Sequence, residues 1–578
     1  MKKAVILSMM SVWGLSALAQ TGSIRINQVG FEPKAQKTAT IESAADAPWA
    51  EAVLLCQKTG KEVWRGKAHR KATSAISGKV RQIVDFTPFS KKGDYLLVVG
   101  QEKMNVKICE HPFADLSRAA VKAFYYQRSG MPIEEAYAGR WARPAAHPDT
   151  AVAVHPSAAT SHRPAGTLIS SNGGWYDAGD YNKYIVNSAF SIGVMLGAYD
   201  RCERYFKRLD TNIPESSNGV PDLLDELHYN LKWMLTMQDQ DGGVYHKLTT
   251  PNFEGFIPPA ECRQQRYVVA KSTSATLDFV ASMAMASRYY QKYEKAYPGF
   301  SSAALQQAEK AYAWAKSNPN VFYSQHVING QYDPDVVTGE YGDRRFSDEF
   351  FWAATELYFA TGNPAYREDA LQHMPQAYTS ASWGNVAELG MLEWLFIKPL
   401  ADADRAVAAA IKGKLLAHLD TFLQQVETSC FQSPCGNAAR DFYWGCNAES
   451  VAWRGAEMMY ACLLTGNPAY REAALQCMNY LLGQNATGYC YVTGFGTKSP
   501  LHPHHRLAAT SEGALPGFLA GGPNPGQQDK GENLTYDSHF ADESYMDNQN
   551  SYASNEIAIN WNAALVALAA LLNSPLSN

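Results

Sequence analysis

The sequence predicts a two-domain protein in which a small β-sandwich precedes a barrel of paired helices. Three observations indicate this. The chain has 578 residues, more than one ordinary hydrophobic core accommodates. Residues 22–108 consist of short, β-branched segments, whereas the rest of the chain carries apolar residues at helical spacing. The octapeptide TGNPAYRE also occurs twice in the helical part, which indicates an internal repeat.

The first domain is predicted by strand-like segments such as SIRINQVGF, RQIVDFTPF, GDYLLVVG and MNVKICE. Turn-like pieces, QKTGKE and SKKGDY among them, separate these segments. Several short strands at this spacing are typical of a small β-sandwich. The region contains no pair of carboxylates and no histidine cluster, so we expect its role to be structural.

The second domain is predicted by long amphipathic runs with apolar residues at i, i+3 and i+4. The repeated TGNPAYRE occupies 361–368 and 465–472, and each copy lies between two helical runs. A glycine that ends one helix and a proline near the start of the next are the expected signals of an αα-hairpin. Stacked hairpins predict a barrel whose loops form one active face. The clearest helical runs are 184–200, 223–238, 276–293, 304–317, 348–360, 405–426 and 556–572.

The N-terminus predicts export. Lys2 and Lys3 precede an apolar run that ends in Ala17-Leu18-Ala19, the pattern of a signal peptide over residues 1–19. The run is too short for a comfortable membrane span. We therefore expect a periplasmic or secreted protein, monomeric and without membrane insertion. A net charge of −5 gives no argument for a nucleic-acid partner.

The ten cysteines are scattered, and most are predicted to be small buried hydrophobic residues. Only Cys430 and Cys435, in CFQSPC, have the spacing of a local disulfide. No cysteine pattern has the spacing of a structural zinc site.

A first candidate site lies in GGWYDAGDYNKY, residues 173–184. The two glycines interrupt any helix, and the following segment has helical spacing, so Asp177 and Asp180 are predicted in a loop that enters a helix. Asp180 is then either a helix N-cap or, with Asp177, part of a carboxylate pair that performs acid–base chemistry on a sugar beside aromatic rings.

A second candidate loop is YVTGFGTKSPLHPHHR, residues 491–506. His502, His504 and His505 allow a metal interpretation, but Pro503 disrupts an i, i+4 ligand face. Histidine and Arg506 are also good hydrogen-bonding partners for sugar hydroxyls, and this interpretation is favoured.

A third candidate loop, SYMDNQNSYASNEIAINWNA, covers residues 544–563 and leads into an apolar helix. Glu556 at that position either complements the helix dipole or serves as a catalytic acid.

Together these three ordered motifs resemble those of glycoside hydrolase family 9, the cellulase family of (α/α)6 barrels. The resemblance covers residues 113–578, and residues 22–108, opening with IRINQVGF, resemble the immunoglobulin-like domain that precedes the barrel in one bacterial subgroup. It therefore implies a multidomain protein, an all-β immunoglobulin-like sandwich followed by an all-α (α/α)6 catalytic barrel.

The resemblance also implies roles for single residues. Glu556 is similar to the family's general acid, Asp180 to its general base, and Asp177 to the carboxylate that supports the base. His504 and Arg506 are expected near the cleaved bond. Asp547, in the Glu556 motif, and His504 are further catalytic candidates. The substrate-binding candidates are Arg506, Tyr552 in the Glu556 motif, His246 in GGVYHKL, and Trp175 in the aromatic segment beside the aspartates.

The implied activity is endo-acting, inverting hydrolysis of β-1,4-glucosidic bonds in soluble cellulose, mixed-linkage glucan or xyloglucan. It requires two carboxyl groups and no cofactor. An exo-acting glucosidase, cellobiohydrolase or glucosaminidase would use the same pair of carboxyl groups. A non-catalytic glycan-binding protein and a uronate lyase are the alternatives from other classes. The long segment 515–544 is expected to line or block a subsite.

Expectations about metal binding come only from the family resemblance. Some relatives with this layout hold zinc through two cysteines and two histidines upstream of the aspartate loop. The matching segment here has no cysteine, and only His147, His155 and His162 remain, so zinc is not predicted. Structural calcium, common in the family, stays open, without assigned ligands.

Overall fold

The structure is a computed structural model that describes residues 24–398, 400–531 and 534–575. The predicted signal peptide, residues 1–19, lies outside the described residues. Where the chain is described, no helix is both long and apolar enough to cross a membrane.

The N-terminal domain is a sandwich of two four-stranded sheets, as predicted. The first sheet has the order β1-β2-β6-β5 and the second the order β4-β3-β7-β8. Alternate residues of the strands point into a common core that includes Ile41, Leu54 and Leu97. The strands are β1 (Ile24–Arg25), β2 (Thr38–Ser43), β3 (Glu51–Cys56), β4 (Glu62–Lys67), β5 (Arg70–Thr73), β6 (Val80–Asp85), β7 (Gly93–Val99) and β8 (Glu102–Ile108).

Polar contacts join the sandwich to the helical domain. Asn27 Nδ2 donates to Asn479 Oδ1 at 2.8 Å, and Arg471 forms an ion pair with Glu32 at 2.7 Å. Because such contacts are directional, they fix the sandwich against the outer side of the barrel.

The helical domain is a barrel of six helix pairs, which confirms the predicted fold class. The inner helices α3, α6, α9, α11, α13 and α17 are buried over most of their lengths, and neighbours α17, α3, α6, α9 and α11 pack side by side. Each packs on an outer partner: α5, α7, α10, α12, α14 and α1, respectively. The main helices are α1 (Ala114–Gln127), α2 (Glu135–Ala138), α3 (Ile185–Arg201), α4 (Glu203–Phe206), α5 (Asp222–Thr236), α6 (Thr273–Tyr290), α7 (Phe300–Ser317), α8 (Gln325–Asn329), α9 (Ser347–Thr361), α10 (Pro364–His373), α11 (Ala387–Phe396), α12 (Arg405–Leu423), α13 (Arg454–Thr465), α14 (Pro468–Leu481), α15 (Arg506–Ala509), α16 (Tyr552–Asn555) and α17 (Ile559–Asn573).

Both copies of TGNPAYRE form the predicted αα-hairpins. Gly362 and Gly466 end α9 and α13 in the left-handed region, at φ of 70° and 71°, where a side chain would be strained. Pro364 and Pro468 occupy the first turn of the next helix, where no amide donor is needed. The repeat therefore marks two pairs of the barrel.

A five-stranded sheet of order β10-β9-β13-β12-β11 lies within the helical domain and was not predicted. Its strands are too short to show a clear alternation beside the long helical runs. The sheet matters because β11 directly follows the aspartate loop and pairs with β12. The strands are β9 (Val152–Val154), β10 (Leu168–Ile169), β11 (Lys183–Tyr184), β12 (Tyr245–Thr249) and β13 (Tyr267–Lys271).

The predicted local bridge between Cys430 and Cys435 is wrong. Both thiols are free and buried, and Cys435 Sγ lies 3.5 Å from Cys477 Sγ on α14 instead.

Candidate active site

The aspartate loop lies on the active face and is almost fully buried. Asp177 is 2% exposed and Asp180 is 6% exposed. Asp180 is not a helix N-cap, because α3 begins at Ile185 and its N-cap position is Tyr184, which makes no side-chain cap. The loop holds the two carboxylates ahead of both β11 and α3, so the capping interpretation fails and the paired-carboxylate interpretation remains.

Both oxygens of Asp177 are occupied. Asn187 Nδ2 donates to Oδ1 and the Tyr341 hydroxyl donates to Oδ2, each at 2.7 Å. Burial and the nearby charge of Asp180 raise the pKa of Asp177 to about 8. Asp177 is thus a fixed, buried group that retains a proton at neutral pH.

Asp180 is bonded on one side only. Asn182 Nδ2 and the Tyr184 hydroxyl donate to Oδ2, at 2.5 and 3.3 Å, whereas no side chain in the described part of the chain donates to Oδ1. Burial raises the pKa of Asp180, and the charge of Arg506 and the hydrogen bond from Asn182 oppose that rise. One oxygen of Asp180 is therefore available to a water or a substrate.

Glu556 approaches the aspartate loop from the end of the chain. Its Oε1 accepts a hydrogen bond from the Gly179 amide at 3.3 Å. Burial, followed by the charges of Asp180 and Asp177, raises the pKa of Glu556 well above its usual value. Glu556 lies outside α17, which begins at Ile559 with Ala558 at its N-cap position.

Backbone hydrogen bonds join the three predicted motifs. The His504 amide donates to Asn555 O at 2.9 Å, and the Arg506 amide donates to Gly179 O at 3.0 Å. Gly179 is required at this junction, since a Cβ there would lie 2.2 Å from His504 O. The three motifs, far apart in sequence, are therefore held together around Gly179 and Glu556.

His504 and Arg506 line this point. His504 Nδ1 bonds Gln549 O at 2.7 Å, and no described group bonds its Nε2. Burial and the charge of Arg506 lower the pKa of His504 to about 4, so the ring is neutral at neutral pH. Arg506 Nη1 donates to Gly179 O, and its guanidinium lies over the ring of Phe256.

Asp547 joins the histidine loop to the Glu556 motif. Its carboxylate accepts hydrogen bonds from the backbone amides of Leu501 and His502, at 2.9 and 2.8 Å, and from Asn555 Nδ2 at 3.2 Å. These contacts tie the histidine loop to the residue before Glu556. The catalytic role of Asp547 stays a prediction.

Tyr552 lies between His504 and an exposed tryptophan. Its ring centroid is 6.0 Å from that of His504 and 5.3 Å from that of Trp444, which is 43% exposed. The Tyr552 hydroxyl donates to Gln528 O. The segment 515–544, of which residues 532–533 are not described, thus supports one wall of the site.

Two predicted substrate contacts are corrected. Trp175 is fully buried, its ring packs on Phe124, and its indole N–H donates to Glu226 Oε1 at 2.8 Å. His246 is also fully buried, with its ring nitrogens bonded to Ser272 Oγ and Glu340 O, both at 2.8 Å. Neither ring presents a surface to a sugar. His246 instead holds the backbone next to Tyr341.

Sequence reasoning missed Tyr341 and the aromatic rings around the site. Tyr341 adopts a left-handed backbone, φ 47°, and its ring packs at 5.1 Å from that of Trp383. The signal available was GEYG, a tyrosine bracketed by glycines. Trp444, in FYWG, and Phe253, which is 45% exposed, are further rings at the site.

Two of the three upstream histidines bond groups of the protein. His147 Nδ1 bonds the Tyr176 hydroxyl at 2.7 Å, whereas His155 bonds Ser157 and Pro334 O. Among residues 24–398, 400–531 and 534–575, no group of three or more His, Cys, Asp or Glu side chains is arranged to hold a metal ion.

Comparison with known proteins identifies the family of both domains. The sequence pattern described as glycosyl hydrolase family 9 matches residues 113–569. The chain belongs to this family. A second pattern, the cellulase N-terminal ig-like domain, matches residues 19–104. The family resemblance of the three motifs is therefore confirmed, and the protein is a glycoside hydrolase.

Individual relatives cover nearly the full length of this family 9 chain. A xyloglucan-specific endo-beta-1,4-glucanase from Bacteroides ovatus is 53% identical over 556 residues, 96% of this chain and 94% of the relative. Endoglucanase D of Acetivibrio thermocellus is 32% identical, over 95% of this chain and 83% of the relative. A solved family 9 structure from Bacteroides ovatus superposes with a TM-score of 0.91 at 52% identity, covering 96% of this chain and 99% of that one.

Proposed function

We propose that this family 9 hydrolase is an endo-acting β-1,4-glucanase that cleaves xyloglucan-type glucans with inversion. In this proposal Glu556 is the general acid and Asp180 the general base. The observation that carries the assignment is the asymmetry between the aspartates. Both oxygens of Asp177 are occupied, whereas Asp180 Oδ1 receives no side-chain hydrogen bond in the described part of the chain.

The protonation states support the same division of roles. A general acid must hold its proton at working pH, and burial beside two aspartates gives Glu556 a raised pKa. A general base must be ionised; burial raises the pKa of Asp180, and the charge of Arg506 and the hydrogen bonds to Oδ2 oppose that rise. Two neighbouring carboxyl groups repel each other when both are ionised, so one of them tends to keep its proton. With a pKa of about 8, Asp177 is that group.

The step needs no cofactor. Glu556 donates its proton to the glycosidic oxygen as the bond to the anomeric carbon breaks, and Asp180 takes a proton from the water that attacks the opposite face. Neutral His504, whose Nδ1–H donates to Gln549 O, leaves Nε2 to accept a hydrogen bond from a sugar hydroxyl near the cleaved bond. Arg506 contributes positive charge beside the carboxylates.

The substrate proposal rests on the relatives and on the rings around the site. The relative named a xyloglucan-specific endo-beta-1,4-glucanase is 53% identical to this chain over nearly its full length. Trp444 and Phe253 are 43% and 45% exposed, and Trp383 is half-buried beside Tyr341; exposed aromatic rings can stack on pyranose rings. Endo action is proposed from the same relative, whose name describes an endo-acting enzyme.

A product profile tests the proposed function. The purified enzyme should lower the viscosity of xyloglucan before much reducing sugar appears, and the products should be oligosaccharides of several sizes. Mixed-linkage glucan and carboxymethyl cellulose serve as unbranched comparisons. Release of only one short product from the start would favour exo action, and products that absorb at about 235 nm would indicate a lyase.

We further propose a structural calcium ion, which the family resemblance implies, and assign no ligands to it. Asp278 is fully buried and neither of its carboxylate oxygens has a described hydrogen-bond partner, and Glu349 Oε2 is likewise unpartnered. Burial, and then the charges of Asp348 and Asp343, raises the pKa values of Asp278 and Glu349. In the described part of the chain these side chains form no group of three or more that is arranged to hold a metal ion, so they are not proposed as ligands. The role of the ion would be stability.

Export and the domain boundaries are further proposals. We propose that residues 1–19 are a signal peptide, that the enzyme is exported, and that the domains span 22–108 and 113–578. Intact mass of the protein recovered outside the cytoplasm would show whether the chain begins near Gln20.

A further inference from the structure

The β-sandwich forms a second charged contact with the helical domain. Lys79, just before β6, forms an ion pair with Glu543 Oε1 at 2.6 Å. Arg81, on β6, has its Nη2 3.7 Å from the same oxygen and 4.0 Å from Asp542 Oδ2. Glu42 of β2 lies 3.7 Å from Lys79 and 4.0 Å from Arg81. Cations of the sandwich and carboxylates of both domains therefore meet at this contact.

Most of this contact is shielded from water. Arg81 and Asp542 are both 1% exposed. The carboxylate of Glu543 is fully used, because Oε1 accepts from Lys79 Nζ and Oε2 accepts from Ser538 Oγ at 3.0 Å. Charges that are shielded from water are screened little by salt, and the loss of one partner leaves the others uncompensated. The contact therefore holds the two domains in one fixed arrangement at this place.

A short series of hydrogen bonds joins Glu543 to the proposed acid. The Tyr545 amide donates to Glu543 O at 2.8 Å. The Tyr545 hydroxyl in turn donates to Asn555 Oδ1 at 2.5 Å, and both of these side chains are buried. Asn555 directly precedes Glu556 in the chain. The residue that pairs with Lys79 is therefore connected to the residue next to Glu556.

A second series of contacts reaches Glu556 from the same side of the sandwich. Ile76, between β5 and β6, packs on an apolar cluster of the helical domain. The buried members of this cluster are Phe442, Cys446 and Ala541. The amide of Asn447, the next residue, donates to Gly521 O at 3.0 Å, and the Gly521 amide donates to Glu556 O at 2.9 Å. Glu556 is thus linked to the sandwich through its own backbone as well as through the residue before it.

The ion pair between Glu32 and Arg471 offers a comparison. It joins the sandwich to the outer helix α14 at 2.7 Å, close to the 2.6 Å of the Lys79–Glu543 pair. The acidic side chains are also similarly exposed, Glu32 by 18% and Glu543 by 14%. The two pairs are therefore alike in geometry and differ in the element that they hold, which is an outer helix in one case and the segment before Glu556 in the other.

We propose that the β-sandwich positions the general acid, through the ion pairs of Lys79 and Arg81 with Glu543. The inference rests on the proposed function, because it takes Glu556 as the group that protonates the leaving oxygen. Proton donation requires the acid to lie within hydrogen-bond reach of that oxygen, roughly 2.6–3.2 Å. When the charged contact is weakened, the segment before Glu556 shifts and the proton is donated less effectively. Lys79 and Arg81 are therefore positioning residues for the acid.

This role predicts a selective loss of activity. Asp180 takes its hydrogen bonds from Asn182 and Tyr184, which follow it directly in the chain, so the base should stay in place. A misplaced acid slows only those substrates whose leaving group must be protonated. An aryl glycoside with an acidic leaving group needs little protonation, whereas a polysaccharide depends on it. A general weakening of the fold would instead lower the turnover of both substrates together.

The test compares Lys79→Met with wild type on two substrates: the β-glucan polysaccharide that wild type cleaves fastest, and a dinitrophenyl β-cello-oligosaccharide that it hydrolyses. The Lys79 side chain is 34% exposed, so the variant should fold, and its Tm checks this. We expect kcat/KM on the polysaccharide to fall about 10-fold and kcat/KM on the aryl glycoside to stay within about twofold. Arg471→Met, which breaks the comparison pair, is the matched control and should leave both values unchanged.

A second variant tests the other side of the ion pair. Glu543→Gln keeps the shape of the side chain and removes its charge, and we expect the same selective loss. Since both substitutions break one ion pair, the double variant should lose about as much as either single variant. Losses that multiply in the double variant would show that Lys79 and Glu543 act separately, and would overturn the proposal.

The outcomes separate this inference from the proposed function. Equal losses on both substrates in Lys79→Met, or an unchanged kcat/KM on the polysaccharide, overturn the positioning role. Glu556→Gln is measured beside it: if that variant does not recover on the aryl glycoside, Glu556 is not the acid and both proposals fail. Recovery of Glu556→Gln together with equal losses in Lys79→Met contradicts the role of the sandwich alone.

Discussion

The backbone amide of Gly179 donates to Glu556 Oε1 at 3.3 Å, so the loop that carries Asp177 and Asp180 touches the carboxyl group contributed from the other end of the domain. The same glycine accepts hydrogen bonds from the backbone and side chain of Arg506. One residue without a side chain thus joins all three motifs, and the geometry of the site depends on it.

Gly179→Ala should disrupt the site. The added Cβ would lie 2.2 Å from His504 O and 2.9 Å from His504 Cδ2, so one of the segments must move. Overpacking of this kind typically costs about 1–3 kcal/mol of the free energy of unfolding. We expect a lower Tm and at least a tenfold lower kcat. Gly413→Ala, on α12 with open space around the new methyl group, is the control and should retain both. Wild-type kcat in Gly179→Ala would contradict this account of the junction.

Glu556→Gln and Asp180→Asn should both fold and lose turnover. General acid–base assistance contributes roughly 10²–10⁴-fold, so at least the lower figure should be lost on polysaccharide. Glu556→Gln should recover on aryl glycosides, because a good leaving group needs little protonation, whereas Asp180→Asn should not. Steady-state kinetics on both substrate types distinguish them. Near-normal polysaccharide turnover by Asp180→Asn would remove Asp180 from the role of base.

Asp177→Asn should stabilise the fold at alkaline pH. The pKa of Asp177 is about 8 in the folded protein, against about 4 in the unfolded chain, so the folded state binds the proton more tightly. Stability is then lost as the pH rises from about 4 through 8, by an upper bound on the order of 5 kcal/mol. The variant avoids this loss: its amide oxygen can still accept from Asn187 Nδ2, and its NH2 group can donate to the Tyr341 hydroxyl oxygen in place of the bond that Tyr341 now donates.

Denaturant unfolding of wild type and Asp177→Asn at several pH values checks this. We expect the variant's advantage to be largest above pH 8 and to disappear below pH 4. An advantage that is constant across this range would show that the carboxyl group is not the source.

Calcium removal should affect stability rather than chemistry. We expect a chelator to lower the Tm and added calcium to restore it, because an ion that binds only the folded state stabilises that state. Turnover should persist at temperatures where the fold is intact. Complete loss of activity that zinc alone reverses would instead assign a catalytic metal to the histidine loop at 491–506.

The fold was largely predictable because its signals are local. Helical periodicity and the TGNP segment, which ends one helix and starts the next, are both visible within about 20 residues of sequence. The helix pairs α9–α10 and α13–α14 could therefore be placed without a structure. The five-stranded sheet could not be predicted, because strands as short as β10 and β11 acquire their partners only through tertiary contacts.

The acidic residues of the site could be predicted from the sequence, but the burial and the distant contacts of their neighbours could not. Asp177, Asp180 and Glu556 stand out as acidic residues in loops, and the structure brings them together. Trp175 and His246 belong to equally suggestive segments but are buried, and burial depends on packing that the sequence does not display. Tyr341 contacts Asp177 across 164 positions of the chain, a distance no local pattern spans.

The stereochemistry of the product tests the central assignment most directly. If Asp180 activates water on the face opposite Glu556, the anomeric centre inverts, and the two carboxyl groups should stand about 6.5–9.5 Å apart to admit that water. Proton NMR of a fresh digest of a β-linked oligosaccharide should then show the α-anomer first, before mutarotation. If the β-anomer appears first, the reaction retains configuration, and Asp180 and Asp177 must be reassigned as nucleophile and helper.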